Sequence, residues 1–306
     1  MIYTADFKAM GCHMLAALEY STHRAKDLLS RVPEWFEAWE ASLSRFRPDS
    51  ELNQLNNSPG MRVPVSQILW EVFQASLEAE KHSGGLVTPA VLEAVIAAGY
   101  TSSFDQLPLT QAGNDHGSRP LLPLQNIEYS PQDHSICLPV GLSLDFGGIA
   151  KGWAAHQAMN RLKNYGPALV NAGGDIAISG LLPGGEPWLV GIDDPLHPGA
   201  SLGTLRLGRC GVGTSGKDYR HWMRGEVWKH HIIDPRTGEP AETDILNATV
   251  IAPTIIDAEM AAKVILILGS QAGLEWLETH PAFTGMLVTE DGHIVYGPSF
   301  KSYLLD

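Results

Sequence analysis

At 306 residues, with 44% hydrophobic and 18% charged side chains, the chain can bury a substantial core and does not have the composition of a disordered protein. A formal net charge of −13 weighs against nucleic acid or an anionic membrane surface as the main partner, but not against an anionic small molecule, which sees only its own pocket. Cys12, Cys137 and Cys210 lie far apart without C-x-x-C spacing, which excludes a zinc framework and a disulfide scaffold and leaves buried or half-buried thiols. The N-terminus has no basic stretch leading into an apolar run, and no segment is apolar enough to span a membrane. A cytoplasmic location, without signal peptide, lipobox or integral membrane segment, is the expectation.

Residues 1–20 alternate loosely and read as a strand interrupted at Met10 and Gly11. Helical spacing of Leu28, Leu29, Val32, Trp35, Phe36 and Trp39 predicts a helix over about 25–43. A turn around Pro48 follows, with Asp49 or Ser50 placed to cap a short helix. A second helix is predicted over about 66–82, closed by Ser83, Gly84 and Gly85. Residues 86–90 form a loop into an apolar helix that stops at Gly99. Residues 101–125, rich in Gly, Pro, Ser and Asp, read as an exposed excursion. Strands at 127–129 and 135–138 pair as a hairpin. Beyond Asp175 short strands recur between Gly and Pro turns, at 188–192, 203–207, 210–214 and 248–252. Residues 228–238 read as a strand running into a proline turn. Helices over 256–268 and 272–279 and strands at 285–288 and 293–296 complete the pattern.

The chemistry concentrates in Leu144-Asp145-Phe146-Gly147-Gly148-Ile149-Ala150-Lys151-Gly152-Trp153 and its sequel Val170-Asn171-Ala172-Gly173-Gly174-Asp175-Ile176. Each is an apolar run beside a glycine pair and an acid. Glycine lets backbone approach a ligand closely, and N–H groups at a helix start favour a phosphate. Either turn alone reads as a tight connection from strand to helix. Both together, with Lys151 beside the first, point to a nucleotide site.

In order along the chain come Met10-Gly11, Ser44-Arg45-Phe46 through Leu52-Asn53, Gly84-Gly85 through Pro89, the two glycine motifs, Thr214-Ser215-Gly216, His231-Ile232-Ile233-Asp234-Pro235-Arg236-Thr237-Gly238 and Thr249-Val250-Ile251-Ala252-Pro253. Together they resemble the ApbE family of FAD:protein FMN transferases. The resemblance covers nearly the whole chain. It implies an α+β (mixed α/β) fold, with antiparallel and mixed sheets flanked by helices and FAD in a cleft. It implies one domain over 1–306; the alternative is two lobes, about 1–125 and 126–306. The implied reaction moves the FMN moiety of FAD onto a Thr or Ser hydroxyl of a client protein and releases AMP, with Mg²⁺ on the diphosphate. The usual clients are flavin-carrying subunits of membrane redox complexes.

Carried over by motif, His231 is the catalytic base, in preference to His230, and Asp234 either orients it or caps the turn. Asp145 accepts from the flavin ring or a ribose. Lys151 sits near phosphate or flavin carbonyl oxygens. Met10 and Phe46 pack the cofactor, Phe46 by stacking or else as a core aromatic. Leu86, Val87 and Thr88 contact it through backbone, and Ile233 is a further contact within the histidine motif. Gly173, Gly174 and Asp175 line the same cleft or only form the turn.

Two positions depart from the family pattern. The family's metal ligands after the Thr-Val-Ile-Ala-Pro strand, an Asp and a Thr four residues on, fall at Glu259 and Lys263. The other register uses Asp257, with Ala261 in place of the Thr. Thr88 stands where the family usually has an acid. A backbone carbonyl near Gly148 remains as the other metal ligand. Glu259 and Lys263 share a helix face and can pair, so a lysine ammonium either repels Mg²⁺ or replaces it. The alternative function is therefore an FAD-binding protein with weak or no Mg²⁺-dependent transfer.

Overall fold

A hairpin begins the fold. In the computed structural model, which describes residues 1–21, 24–112 and 121–305, Met10 and Gly11 both adopt positive φ (49° and 65°). Consecutive positive φ values make a turn whose twist matches two paired strands. The predicted interrupted strand is thus two antiparallel strands, Ile2–Ala9 and Cys12–Glu19, paired along their length.

The chain divides into two compact units whose segments interleave along the sequence. The first comprises Met1–Phe36, Lys151–Asp218 and Glu242–Asp306; the second comprises Glu37–Ala150 and Tyr219–Ala241.

The first unit is built on an eight-stranded antiparallel sheet. Its spatial order is Ile2–Ala9, Cys12–Glu19, Ala168–Ala172, Asp175–Ile178, Cys210–Gly216, Ile245–Ala252, Thr284–Thr289 and Ile294–Tyr296. Gly211 and Gly213 alternate with Val212, as the two-residue period of a strand requires. Val212 joins a core with Trp188, Leu205, Leu207, Ile251 and Phe300. On the glycine side the helix Ile255–Leu268 lies directly on the strands, and a Cβ at either glycine would overlap its backbone. That helix is apolar nearly all round and buried. Its buried carboxylate is Glu259, 2% exposed. The hairpin of Trp188–Asp193 and Ser201–Leu207 supplies apolar side chains to the Val212 core.

The second unit carries the helices Glu51–Asn56, Gln67–His82 and Leu92–Ala97. Ser50 and Ser66 cap the first two, accepting from Asn53 N–H and Leu69 N–H. The expected hairpin of Glu128–Ser130 and Ser135–Cys137 is present, with Arg62–Pro64 on its other edge. His221–Arg224 pairs antiparallel with Val227–His230 and parallel with Thr110–Gln111, so the fold is α+β with both pairing modes. Trp222, fully buried, donates its indole N–H to Ala98 O (2.9 Å) and packs with Val95, Tyr100 and Ile233.

Two sequence expectations are corrected. The helix over 25–43 is two helices, Arg24–Leu29 and Val32–Leu43. Pro33 is the cause: its ring excludes an intrahelical N–H bond and clashes with the carbonyl four residues back, so a helix can begin at Pro33 but not run through it. Gly173 and Gly174, with φ of 66° and 97°, join strand to strand, not strand to helix. The excursion over 101–125 carries a short helical turn, Phe104–Gln106, and the strand Thr110–Gln111; residues 113–120 of it lie outside the described residues.

Candidate active site

The residues singled out by sequence fall into one cluster in each unit. In the first unit, the register Met14↔Ala172 places the Met10–Gly11 turn beside the Gly173–Gly174 turn, and Gly173 N–H donates to His13 O (3.1 Å). Gly173 has to be glycine on two counts. Its φ is positive, and a Cβ would lie 2.8 Å from Cys12 Cβ and Sγ. Met10 is a bulky residue in the left-handed region, a conformation that costs about 1 kcal/mol. Strain of this kind collects at ligand sites. Met10→Asn, which tolerates the conformation, is expected to raise the unfolding free energy by about 1 kcal/mol in urea titrations.

Behind the two turns lies a buried charge cluster. Asp175, 1% exposed, pairs with the Lys151 ammonium through Oδ2. Its Oδ1 is buried without a hydrogen-bond partner among the described residues. Lys151 Nζ also stands 3.7 Å from Glu259 Oε1, and Lys263 Nζ stands 3.1 Å from the same oxygen. Glu259 Oε2 accepts from Gly152 N–H (3.1 Å). A methyl group at position 152 would overlap Oε2, so glycine there admits the carboxylate. The helix Ala150–Leu162 therefore has one of its unpaired first-turn N–H groups satisfied by Glu259. Sequence reasoning reserved those groups for a phosphate; the protein's own acid takes one of them. Burial disfavours the Lys151 ammonium, but Asp175 and Glu259 outweigh it and hold its pKa above the ordinary lysine value. Burial pushes the Glu259 carboxyl up, with Asp175 adding to the rise and the two lysines opposing it.

In the second unit Asp145 is held from three sides. Its Oδ2 accepts from Arg45 Nε (2.9 Å), its Oδ1 from Gly147 N–H (2.7 Å), and its own N–H donates to Pro89 O (2.8 Å). Asn56 clamps the preceding Leu144 at both backbone groups. Arg45 lies within the Ser44-Arg45-Phe46 motif, but its role emerges only in the fold. It also donates to Tyr100 O (2.8 Å), and its guanidinium lies 4.1 Å from the Phe46 ring centroid and 4.7 Å from that of Tyr100. Burial lowers its pKa, and Asp145 opposes that shift. Phe46 is 40% exposed, so its ring is not a core aromatic. Residues 86–90 dock on Asp145 through Pro89. Leu86 and Thr88 are half-buried and Val87 is buried, with Val87 N–H bonded to Ser83 Oγ and Ala90 N–H to Thr88 Oγ1. Gly148 is half-buried in the turn before the helix.

The two neighbouring histidines have different partners. His230 Nε2 contacts Ala241 O (3.1 Å), and its Nδ1 accepts from Ile232 N–H, which commits both nitrogens to the turn. His231 Nδ1 contacts Arg220 O (3.4 Å). A carbonyl only accepts, so Nδ1 carries the proton and Nε2 is the basic nitrogen. The edge of Tyr100 meets the His231 ring. Asp234 does not reach His231. Its Oδ1 accepts from Arg236 N–H and Nε, and its Oδ2 from Arg236 Nε and Nη2, so of the two roles left open it takes the cap of the proline turn. Ile233 is buried against Trp222 and Tyr100, which leaves only its backbone for a ligand.

The family model described as the ApbE family matches residues 10–287. The chain belongs to the ApbE family. It is similar to the FAD:protein FMN transferase of Treponema pallidum, 30% identical over 296 residues, covering 90% of this chain and 81% of that protein. It is 24% identical over 308 residues to the one from Escherichia coli K12, covering 97% and 88%. Among solved structures, the ApbE protein of Thermotoga maritima aligns over 100% of both chains at TM-score 0.85 and 22% identity. The apo flavinyl transferase ApbE of Pseudomonas stutzeri aligns over 99% and 97% at TM-score 0.83 and 23% identity. Both structural likenesses speak to the fold.

The Mg²⁺ that the ApbE resemblance implies does not fit the residues present. Mg²⁺ takes near-octahedral oxygen ligation at about 2.0–2.1 Å. Glu259 spends both oxygens on two ammonium groups and a backbone N–H, and the second ligand position holds a lysine. An ion on Oε1 would stand within about 5 Å of Lys263 Nζ, and at an effective dielectric constant of about 20 that repulsion costs about 6–7 kcal/mol. Among the described residues no three His, Cys, Asp or Glu come together as a metal site. Likewise, no helix among them is long and apolar enough to cross a membrane.

Proposed function

We propose that this chain transfers the FMN moiety of FAD to a Thr or Ser hydroxyl of a client protein and releases AMP. What carries the reading is the match, over nearly the whole chain, to relatives bearing the name FAD:protein FMN transferase. The geometry suits the chemistry. Displacement at phosphorus needs positioning, charge stabilisation and a deprotonated nucleophile. His231 Nε2 takes the acceptor proton. The acceptor oxygen bonds to the FMN-side phosphorus, the bridging P–O bond breaks, and AMP leaves with the electron pair. Asp145, fixed by Arg45 and Gly147, offers its remaining acceptor capacity to ring or ribose donors. The exposed Phe46 face is available for stacking.

The Glu259–Lys263 pair favours a second reading, in which FAD is bound but not transferred. One experiment decides. The full chain is incubated with FAD and a flavin-carrying subunit that bears the acceptor Thr, with EDTA or with Mg²⁺. Transfer yields a covalently fluorescent band and an equal amount of AMP. Retained FAD with neither product supports the second reading, and no FAD binding rejects both.

A further inference from the structure

Glu259 and Lys263 occupy i and i+4 on the buried helix Ile255–Leu268. The carboxylate is 2% exposed and the ammonium side chain 18%. Glu259 is thus the anchor, and Lys263 is the more exposed member of the pair. An ammonium has three N–H donors. Glu259 takes two of them, one through Oε1 at 3.1 Å and one through its backbone oxygen at 3.4 Å. The third is left for an anion. With Lys151 and Asp175 the cluster sums to zero charge, so its two buried carboxylates are balanced without a metal ion. The family's second metal ligand falls at position 263, where this chain carries a fixed positive charge instead.

We propose that the Lys263 ammonium, held on Glu259, takes the place of the divalent cation, so that this chain binds the diphosphate of a dinucleotide without Mg²⁺. The inference rests on the flavin reading above. One ammonium donor supplies a charge-assisted hydrogen bond to a phosphate oxygen, and the anchor on Glu259 keeps that donor in place.

The test is calorimetric titration of FAD into the full chain, in EDTA and in millimolar Mg²⁺. The same affinity in both buffers is expected. Lys263→Gln is expected to weaken binding at least about tenfold in both, the loss of one charge-assisted bond, while Lys263→Arg retains most of it. The double variant Glu259→Asp/Lys263→Thr restores an oxygen pair and is expected to make FAD binding respond to Mg²⁺. Circular dichroism checks that each variant folds, and the wild-type comparison between the two buffers stands even if one does not. Wild-type affinity raised tenfold or more by Mg²⁺ overturns the inference alone, as does full affinity in Lys263→Gln. Absence of FAD binding in both buffers overturns the flavin reading and this inference with it.

Discussion

Lys151→Met lowers the unfolding free energy by about 3–5 kcal/mol, the cost of breaking a buried ion pair from one side. The reason is what the substitution leaves behind. Asp175 is 1% exposed and loses its ammonium partner, while its other oxygen already lacks one. Glu259 keeps Lys263, so the damage concentrates at Asp175. Adding Asp175→Asn removes the orphaned charge and should recover more than half of the loss, which a simple packing defect at position 151 would not do. The effect of pH follows from the direction of the shift. Lys151 holds its proton more tightly folded than unfolded, so its stabilisation is complete below the ordinary lysine pKa near 10.4 and is lost as pH rises through the higher folded value. The gap between wild type and Lys151→Met is therefore flat from neutral pH to about pH 10 and narrows above it. Urea unfolding at neutral pH and again in strong base measures both. Equal midpoints for the two proteins at neutral pH would show that the pair contributes nothing.

Local rules made much of this fold readable, and distance limits explain the rest. Ser50 and Ser66 mark helix starts because a hydroxyl three residues before a free N–H needs no tertiary context. The Glu259–Lys263 pair is legible because i and i+4 share a helix face. The glycine pair at 173 and 174 misled, since two glycines after an apolar run suit a hairpin and a strand-to-helix turn equally; the pairing of Leu169 with Ile178 decides it. Pro33 breaks the helix while the apolar stripe runs on past it, so the spacing alone does not show the break. The role of Arg45 is not legible in the sequence because its partner Asp145 is remote along the chain, and only folding brings them to 2.9 Å. The same holds for Lys151, whose partners Asp175 and Glu259 come from a strand and a helix far along the chain. Motif register alone separates His231 from His230 in the sequence, because the partners of both rings come from elsewhere in the chain.

His231→Asn lowers the rate of FMN transfer by about 10²–10⁴, the range for removing a positioned general base, and leaves FAD affinity unchanged. The argument turns on which nitrogen is basic. Arg220 O accepts a hydrogen bond from Nδ1–H, so Nε2 is the nitrogen that accepts the hydroxyl proton. Asparagine still offers hydrogen-bonding groups near Arg220, but it has no nitrogen that can accept a proton. His230→Asn is the control: its nitrogens bind Ala241 O and Ile232 N–H, so the loss should fall on thermal stability rather than on the rate. Asp234→Asn should resemble that control, because its carboxylate serves Arg236 and the turn. Single-turnover assays with saturating FAD separate these outcomes, since chemistry is then measured apart from binding. The acid limb of the wild-type pH–rate profile should also vanish in His231→Asn. A variant that transfers at the wild-type rate, with that limb intact, would remove His231 from the chemistry and make a different group the base.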